Sequence, residues 1–117
     1  MQPIRSSPGF RALLERRRAE RERLIEEARA YAERLRAGLG EASVFLYGSV
    51  ARGDFNMASD LDLLVVSSRL PAEPLERLRL LQSFALGREE PKGLLPDEYA
   101  RLKESKKLWY LEGALEL

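Results

Sequence analysis

Tyr47-Gly48-Ser49-Val50-Ala51-Arg52-Gly53-Asp54-Phe55-Asn56-Met57-Ala58-Ser59-Asp60-Leu61-Asp62 joins two short apolar runs. The run before it, Ala42-Ser43-Val44-Phe45-Leu46-Tyr47, is rich in β-branched and aromatic residues and is predicted as a buried strand that delivers Gly48-Ser49 at its carboxyl end. The run after it, Leu61 to Ser67, is predicted as a second strand. In open sheets, ligands bind at such carboxyl ends.

Residues two apart on a strand project to the same face, so Asp60 and Asp62 point the same way, roughly 6.5 to 7 Å apart by strand rise. Bare, the two charges repel; a divalent cation between them turns repulsion into coordination. Mg²⁺ favours such oxygen ligands and completes its shell with water and substrate phosphates. The competing reading of a bare Asp-x-Asp is a solvated strand edge or a helix cap. Gly48 and Ser49, ten residues upstream of the pair, shift the balance toward metal. Gly48 has no Cβ, so a phosphate can approach its backbone, and Ser49 offers a hydroxyl donor at the first turn of a short helix through Val50 and Ala51. Arg52 returns to the same end of that turn with a fork suited to phosphate oxygens. A surface salt bridge or turn cap is the other reading of Arg52 and Asp54. Ser59 is expected to order the approach to Asp60.

Gly-Ser, ten residues, Asp-x-Asp resembles the signature of the minimal nucleotidyltransferases of the DNA polymerase β superfamily. The close match covers about residues 44 to 66, and a looser one reaches Pro96-Asp97-Glu98-Tyr99. The resemblance implies a polymerase-β-like α/β (α+β) fold in which Gly48, Ser49, Arg52 and Ser59 serve the nucleotide. It makes Asp60 and Asp62 the catalytic ligands of two Mg²⁺ ions, with ATP as substrate and pyrophosphate leaving. A third carboxylate is usual on a later strand of such proteins. Aligning Leu95-Pro96-Asp97-Glu98-Tyr99 with the end of that strand puts Glu90 at the acidic position. Arg88, Pro91, Lys92 and Gly93 make a poor strand, which leaves loop charges as the other reading of Glu89 and Glu90.

The chain has 117 residues, 44% of them hydrophobic, enough for one domain with a single sheet and too few for a separate substrate domain. Residues 1–23 are expected to form a helical arm projecting from it. Cys and His are both absent, which removes disulfides, thiol nucleophiles, imidazole bases and Cys/His zinc sites, and leaves oxygen-ligated metal. With no signal peptide and no apolar run of spanning length, a cytoplasmic protein without membrane contact is expected. Residues 1–40 hold ten Arg against six Glu, net +4, while residues 41–117 hold ten basic against thirteen acidic residues, net −3. Glutamates interleave with the arginines, as in Glu20 with Arg23 and Glu26 with Arg29. A solvated helix is therefore favoured over a dedicated nucleic-acid surface.

Ser7 is a candidate N-cap with Pro8 at the first position of a helix that runs to Gly38 or Gly40. Leu24, Ala28, Tyr31, Leu35 and Leu39 form its sheet-facing stripe. Phe10, Leu13 and Leu14 lie beyond that stripe and suit a partner or self-association, that is, a homo-oligomer. A crossover helix from about Pro74 to Ala85 is predicted to turn Leu75, Leu78, Leu81 and Leu86 inward and to end at Gly87. A further helix opens at Pro96, and Trp109 and Tyr110 in the apolar tail are read as core or interface anchors. The expected architecture is a small mixed sheet of three to four strands covered by helices.

Three functions compete. The first is a nucleotidyltransferase moving AMP onto a protein hydroxyl; the resemblance implies a helical HEPN-type ribonuclease toxin as partner and an antitoxin role for this chain. The second is a non-catalytic module that neutralises a partner by steric cover. The third is a small-molecule enzyme similar to the aminoglycoside nucleotidyltransferases, which are generally longer.

Overall fold

The computed structural model describes residues 8–56 and 58–117, so the candidate N-cap Ser7 lies outside the described residues. Four strands form one mixed sheet in the order β3-β2-β1-β4. β1 (Ser43–Tyr47) runs antiparallel to β2 (Leu61–Val66) and to β4 (Leu115–Glu116), while β3 (Glu89–Leu94) runs parallel to β2. The helices are α1 (Pro8–Leu39), the four-residue α2 (Ser49–Arg52), α3 (Pro74–Ser83) and α4 (Pro96–Glu104); a 3₁₀ turn (Trp109–Leu111) precedes β4. Among the described residues no helix is long and apolar enough to cross a membrane.

Period-two alternation divides the sheet cleanly. Leu61, Leu63 and Val65 of β2, with Val44 and Leu46 of β1, share one buried core with Leu24, Ile25, Ala28, Tyr31, Ala32 and Leu35 of α1. The α1 residues recur at helical spacing, so the packed stripe agrees with the sequence. Tyr31 carries a polar tip into this core and donates to the Leu81 carbonyl at 2.8 Å, and burial raises its pKa. On the opposite face, Tyr99 of α4 stacks on Phe45 with centroids 6.1 Å apart, and Leu64 and Leu108 are buried. α1 closes at Leu39, where Gly40, at φ 103°, donates back to the Arg36 carbonyl at 2.9 Å.

The crossover helix differs from expectation. Its inward residues are Arg77 and Leu81, whereas Leu75, Leu78 and Leu86 are 51%, 44% and 79% exposed, and the helix stops at Ser83, short of Gly87. The cause lies in β3. Gly93 has no side chain, and a Cβ there would stand 2.7 Å from Leu81 Cδ1 and 3.1 Å from Arg77 Cδ. The stem of Arg77 fills that slot, and its guanidinium donates to the carbonyls of Pro71, Ala72 and Gly93 and to Glu98 Oε1, at 2.8 to 3.2 Å. Four acceptors outweigh the leucine pattern in setting how the helix is turned. Upstream, Glu73 caps it by accepting from the N–H groups of Leu75 and Glu76.

β3 decides between the two readings of its sequence: Glu89 and Glu90 are strand residues and not loop charges. Pro91 and Gly93 are tolerated because β3 is an edge strand, with one side free of ladder demands. Glu89 turns inward: it accepts from Leu86 N–H, Gly87 N–H and Arg34 Nη2, the last at 2.7 Å. Burial works against its ionisation, but the N–H donors and the guanidinium prevail and hold its pKa below the usual carboxylate value.

Candidate nucleotide and cation site

β1 ends at Tyr47 and hands the chain to Gly48, whose φ of 81° and ψ of −153° belong to a region that L side chains rarely adopt. A Cβ at Gly48 would overlap the Asp62 carboxylate, so glycine is what lets that carboxylate lie against the turn. Ser49 then opens α2, which Arg52 N–H closes on the Gly48 carbonyl at 3.0 Å and Gly53 N–H closes on Ser49 at 2.9 Å. The ladder places Tyr47 opposite Asp62 and Asp62 beside Glu90. Three strands thus bring Gly48, Asp62 and Glu90 to one end and one face of the sheet.

Asp60 sits one residue before β2 and is exposed, and the Glu90 carboxyl lies within hydrogen-bond reach of it. The three acids sense one another. Glu90 has its pKa raised, first by the charge of Asp60 and further by Asp62, with Lys92 opposing. Asp62 is raised first by desolvation and then by Asp60, against the lowering influence of Lys92 and Arg52. Tyr47, beside them, is pushed up to about 12 by burial, with Asp62, Tyr110 and Glu90 adding. Among the described residues no three acidic side chains are drawn close enough to enclose an ion as they stand. The all-oxygen donor set, its mutual repulsion and the adjacent glycine turn together fit a hard divalent cation, with Asp60, Asp62 and Glu90 as the residues that would hold it.

Arg52 points its guanidinium at Asp54, 3.3 Å away, in a pair about 60% exposed on both sides. Such a pair is weak and easily exchanged for another anion. A hollow of about 530 Å³ lies beside Gly48 and Ser49, lined also by Tyr47, Arg52, Asp62, Trp109 and Tyr110. Ser59 is not among its walls. Its hydroxyl accepts from Asn56 N–H at 2.8 Å, bracing the loop before Asp60, and it faces a different hollow with Arg34 and Glu89.

Two arginines of α1 belong to the site's framework and carry no signal in a helix so rich in Arg. Arg21 donates to the Val50 and Ala51 carbonyls at 2.9 and 2.8 Å, and Arg17 donates to those of Gly53 and Phe55 at 3.1 and 2.9 Å. Arg17 also lies over the Phe55 ring, 4.3 Å from its centroid. A four-residue helix cannot satisfy its own terminal carbonyls, and α1 supplies the donors. The purely solvated helix expected from the Glu/Arg pattern is therefore corrected, although Glu26 and Arg29 do pair at 2.6 Å.

No curated protein matches the chain. Its fold is similar to that in the crystal structure of a candidate nucleotidyltransferase from Sulfolobus solfataricus, with a TM-score of 0.67 and 20% sequence identity over 86% of this chain and 84% of that one. The model of the nucleotidyltransferase domain family matches residues 16–116, a span that takes in the glycine turn, all three carboxylates and every strand of the sheet. By that match over nearly its whole length, the chain belongs to the nucleotidyltransferase domain family.

Proposed function

We propose that the protein, using Mg²⁺, transfers AMP from ATP to a hydroxyl of a protein partner, the hydroxyl oxygen bonding to the α-phosphorus as the bond to the β-phosphate breaks and pyrophosphate leaves. The observation that carries this reading is the register Tyr47–Asp62–Glu90, which sets two carboxylates side by side next to a glycine turn that a Cβ would close. Gly48 leaves its backbone open to phosphate oxygens, and the Ser49 hydroxyl can donate to them. Arg52 exchanges Asp54 for the phosphate tail. Asp60, Asp62 and Glu90 would hold the cations, whose bound charge would supply neutralisation of the transferring phosphate and a lowered pKa for the attacking hydroxyl. Glu90 also accepts the proton of that hydroxyl, a role that its exposure and raised pKa support.

The acceptor is read as a protein because α1 holds Phe10, Leu13 and Leu14 exposed ahead of its buried stripe, an apolar surface suited to a protein contact. A helical HEPN-type ribonuclease is the partner this reading favours, with modification of that partner as the antitoxin act. Incubation with α-labelled ATP, Mg²⁺ and the partner should label the partner, and Asp60→Asn/Asp62→Asn should abolish labelling. Neutralisation that persists unchanged in that double variant, with no label transferred, would replace catalysis by steric cover.

A further inference from the structure

Trp109 is the chain's single tryptophan and is 77% exposed. It is not the core anchor that an apolar tail suggests. It stands on the wall of the same 530 Å³ hollow as Gly48, Ser49, Arg52 and Asp62. That volume falls in the range of small-ligand sites. An aromatic series leads to it from the carboxylates: Tyr47, opposite Asp62, meets Tyr110 at 5.1 Å between centroids, and Tyr110 meets Trp109 edge to face at 6.0 Å. The edge contact leaves most of the indole uncovered.

The backbone that carries the indole is held firmly for a surface turn. Leu111 and Glu112 N–H groups close the 3₁₀ turn on the Leu108 and Trp109 carbonyls. Leu108 is buried, and β4 pairs Leu115 with Leu46. Leu117 N–H donates to Val44 at 2.8 Å while Arg36 donates to the Leu117 carbonyl at 2.8 Å. The turn that carries Trp109 is thus fastened to β1, the strand that delivers Gly48, so the two walls of the hollow keep a fixed relation.

We propose that Trp109, backed by Tyr110, is the stacking platform for the nucleobase of the bound nucleoside triphosphate. This rests on Gly48, Ser49 and Asp62 forming the phosphate end of the same site. Stacking accepts any base through its π-face, so the platform contributes affinity with little discrimination among bases. A platform whose backbone is already fastened in place also binds with a smaller ordering penalty.

The lone tryptophan is its own reporter. Titration of the full chain with MgATP should quench Trp109 emission to saturation, while magnesium tripolyphosphate should compete with MgATP for the site and leave the emission unchanged. By calorimetry, Trp109→Ala should bind MgATP about 5- to 100-fold more weakly, with tripolyphosphate affinity unaltered, and Trp109→Phe should recover most of the loss. Equal MgATP affinity in wild type and Trp109→Ala, with tripolyphosphate still bound, overturns the platform and spares the phosphate site. Absence of binding by both ligands, or binding unchanged in Asp62→Asn, overturns the phosphate site and the platform with it.

Discussion

Asp62 is the residue on which most of the site converges: it touches the glycine turn, pairs with Tyr47 across one ladder and lies beside Glu90 across the other. Replacing it with Asn should lower the transfer rate at least ~100-fold, because cation stabilisation of a transferring phosphoryl group is worth several kcal/mol. Ser49→Ala removes one hydrogen bond to a charged phosphate, worth roughly 1.5 to 3 kcal/mol, and should lose about ten- to a hundredfold. Steady-state rates at saturating cation rank the two, and a larger loss in Ser49→Ala would exchange their roles. Glu90 makes a different prediction. Its pKa is raised in the folded chain by the charge of Asp60 above all. A carboxyl with a raised folded pKa favours the fold below its unfolded pKa, and that contribution is lost as pH rises through the folded value. Glu90→Gln should therefore raise the melting temperature near neutral pH in cation-free buffer, with the gain fading below the ordinary carboxylate range. Added MgCl₂ should stabilise the wild type more than the variant. Thermal melts across pH, with and without the cation, read both effects, and identical melts for the two chains would deny the three acids a common charge cluster.

Arg77 shows how an element can be turned by one side chain against its own pattern. Removing it takes the side-chain donor from the carbonyls of Pro71, Ala72 and Gly93, while the Glu98 carboxylate keeps the Leu95 N–H. Arg77→Ala should cost about 1 to 3 kcal/mol in urea unfolding, the range for leaving buried acceptors without a donor. Arg77→Lys should recover little, because an ammonium cannot serve that spread of acceptors. A loss under 1 kcal/mol would mean that Gly93 alone fixes α3. The tie between α1 and α2 predicts a functional loss instead: Arg21→Ala should raise the KM for nucleotide about tenfold with a smaller change in kcat, since it loosens the turn without touching a reacting atom. What the sequence made legible follows the same division. β1, the glycine turn, β2 and the face of α1 all rest on local signals: β-branched runs, a spaced glycine and a 3.6-residue stripe. β3 was illegible because an edge strand tolerates Pro91 and Gly93, residues that spoil a strand pattern elsewhere. β4, two residues long, is defined by its partner β1 and has no pattern of its own. The inward face of α3 was misread because Leu75 and Leu78 suggest a stripe, while the deciding contacts come from carbonyls distant in sequence. Glu90 was reached only through the family motif, and its neighbourhood with Asp62 became visible once β3 had a register.

At the scale of the molecule, the long first helix sets the shape, 59 × 32 × 21 Å, with a radius of gyration of 16.9 Å against about 13 Å expected for a compact chain of this length. Every described residue from Pro8 to Ala19 is exposed, and burial begins in earnest at Leu24. Arg17 and Arg21 mark where α1 becomes part of the site's framework, close to where the family match begins at residue 16. Phe10, Leu13 and Leu14, 38% to 48% exposed, lie on the exposed turns of α1 that precede its buried stripe. An apolar face held clear of the domain contributes nothing to folding and suits a protein contact. Removing residues 1–15 should accordingly shift the melting temperature by no more than about 3 °C, the equivalent of roughly 0.5 kcal/mol in a domain of this size. MgATP affinity should be retained, because Arg17 and Arg21 remain to hold α2. Binding to the helical ribonuclease proposed as partner, followed by calorimetry on the full and shortened chains, should weaken at least tenfold, as expected when an apolar anchor is lost from an interface. A shortened chain that melts far lower would make the arm part of the fold, and one that binds the partner undiminished would place the contact elsewhere, with the exposed Leu75 and Leu78 of α3 as the next surface to alter.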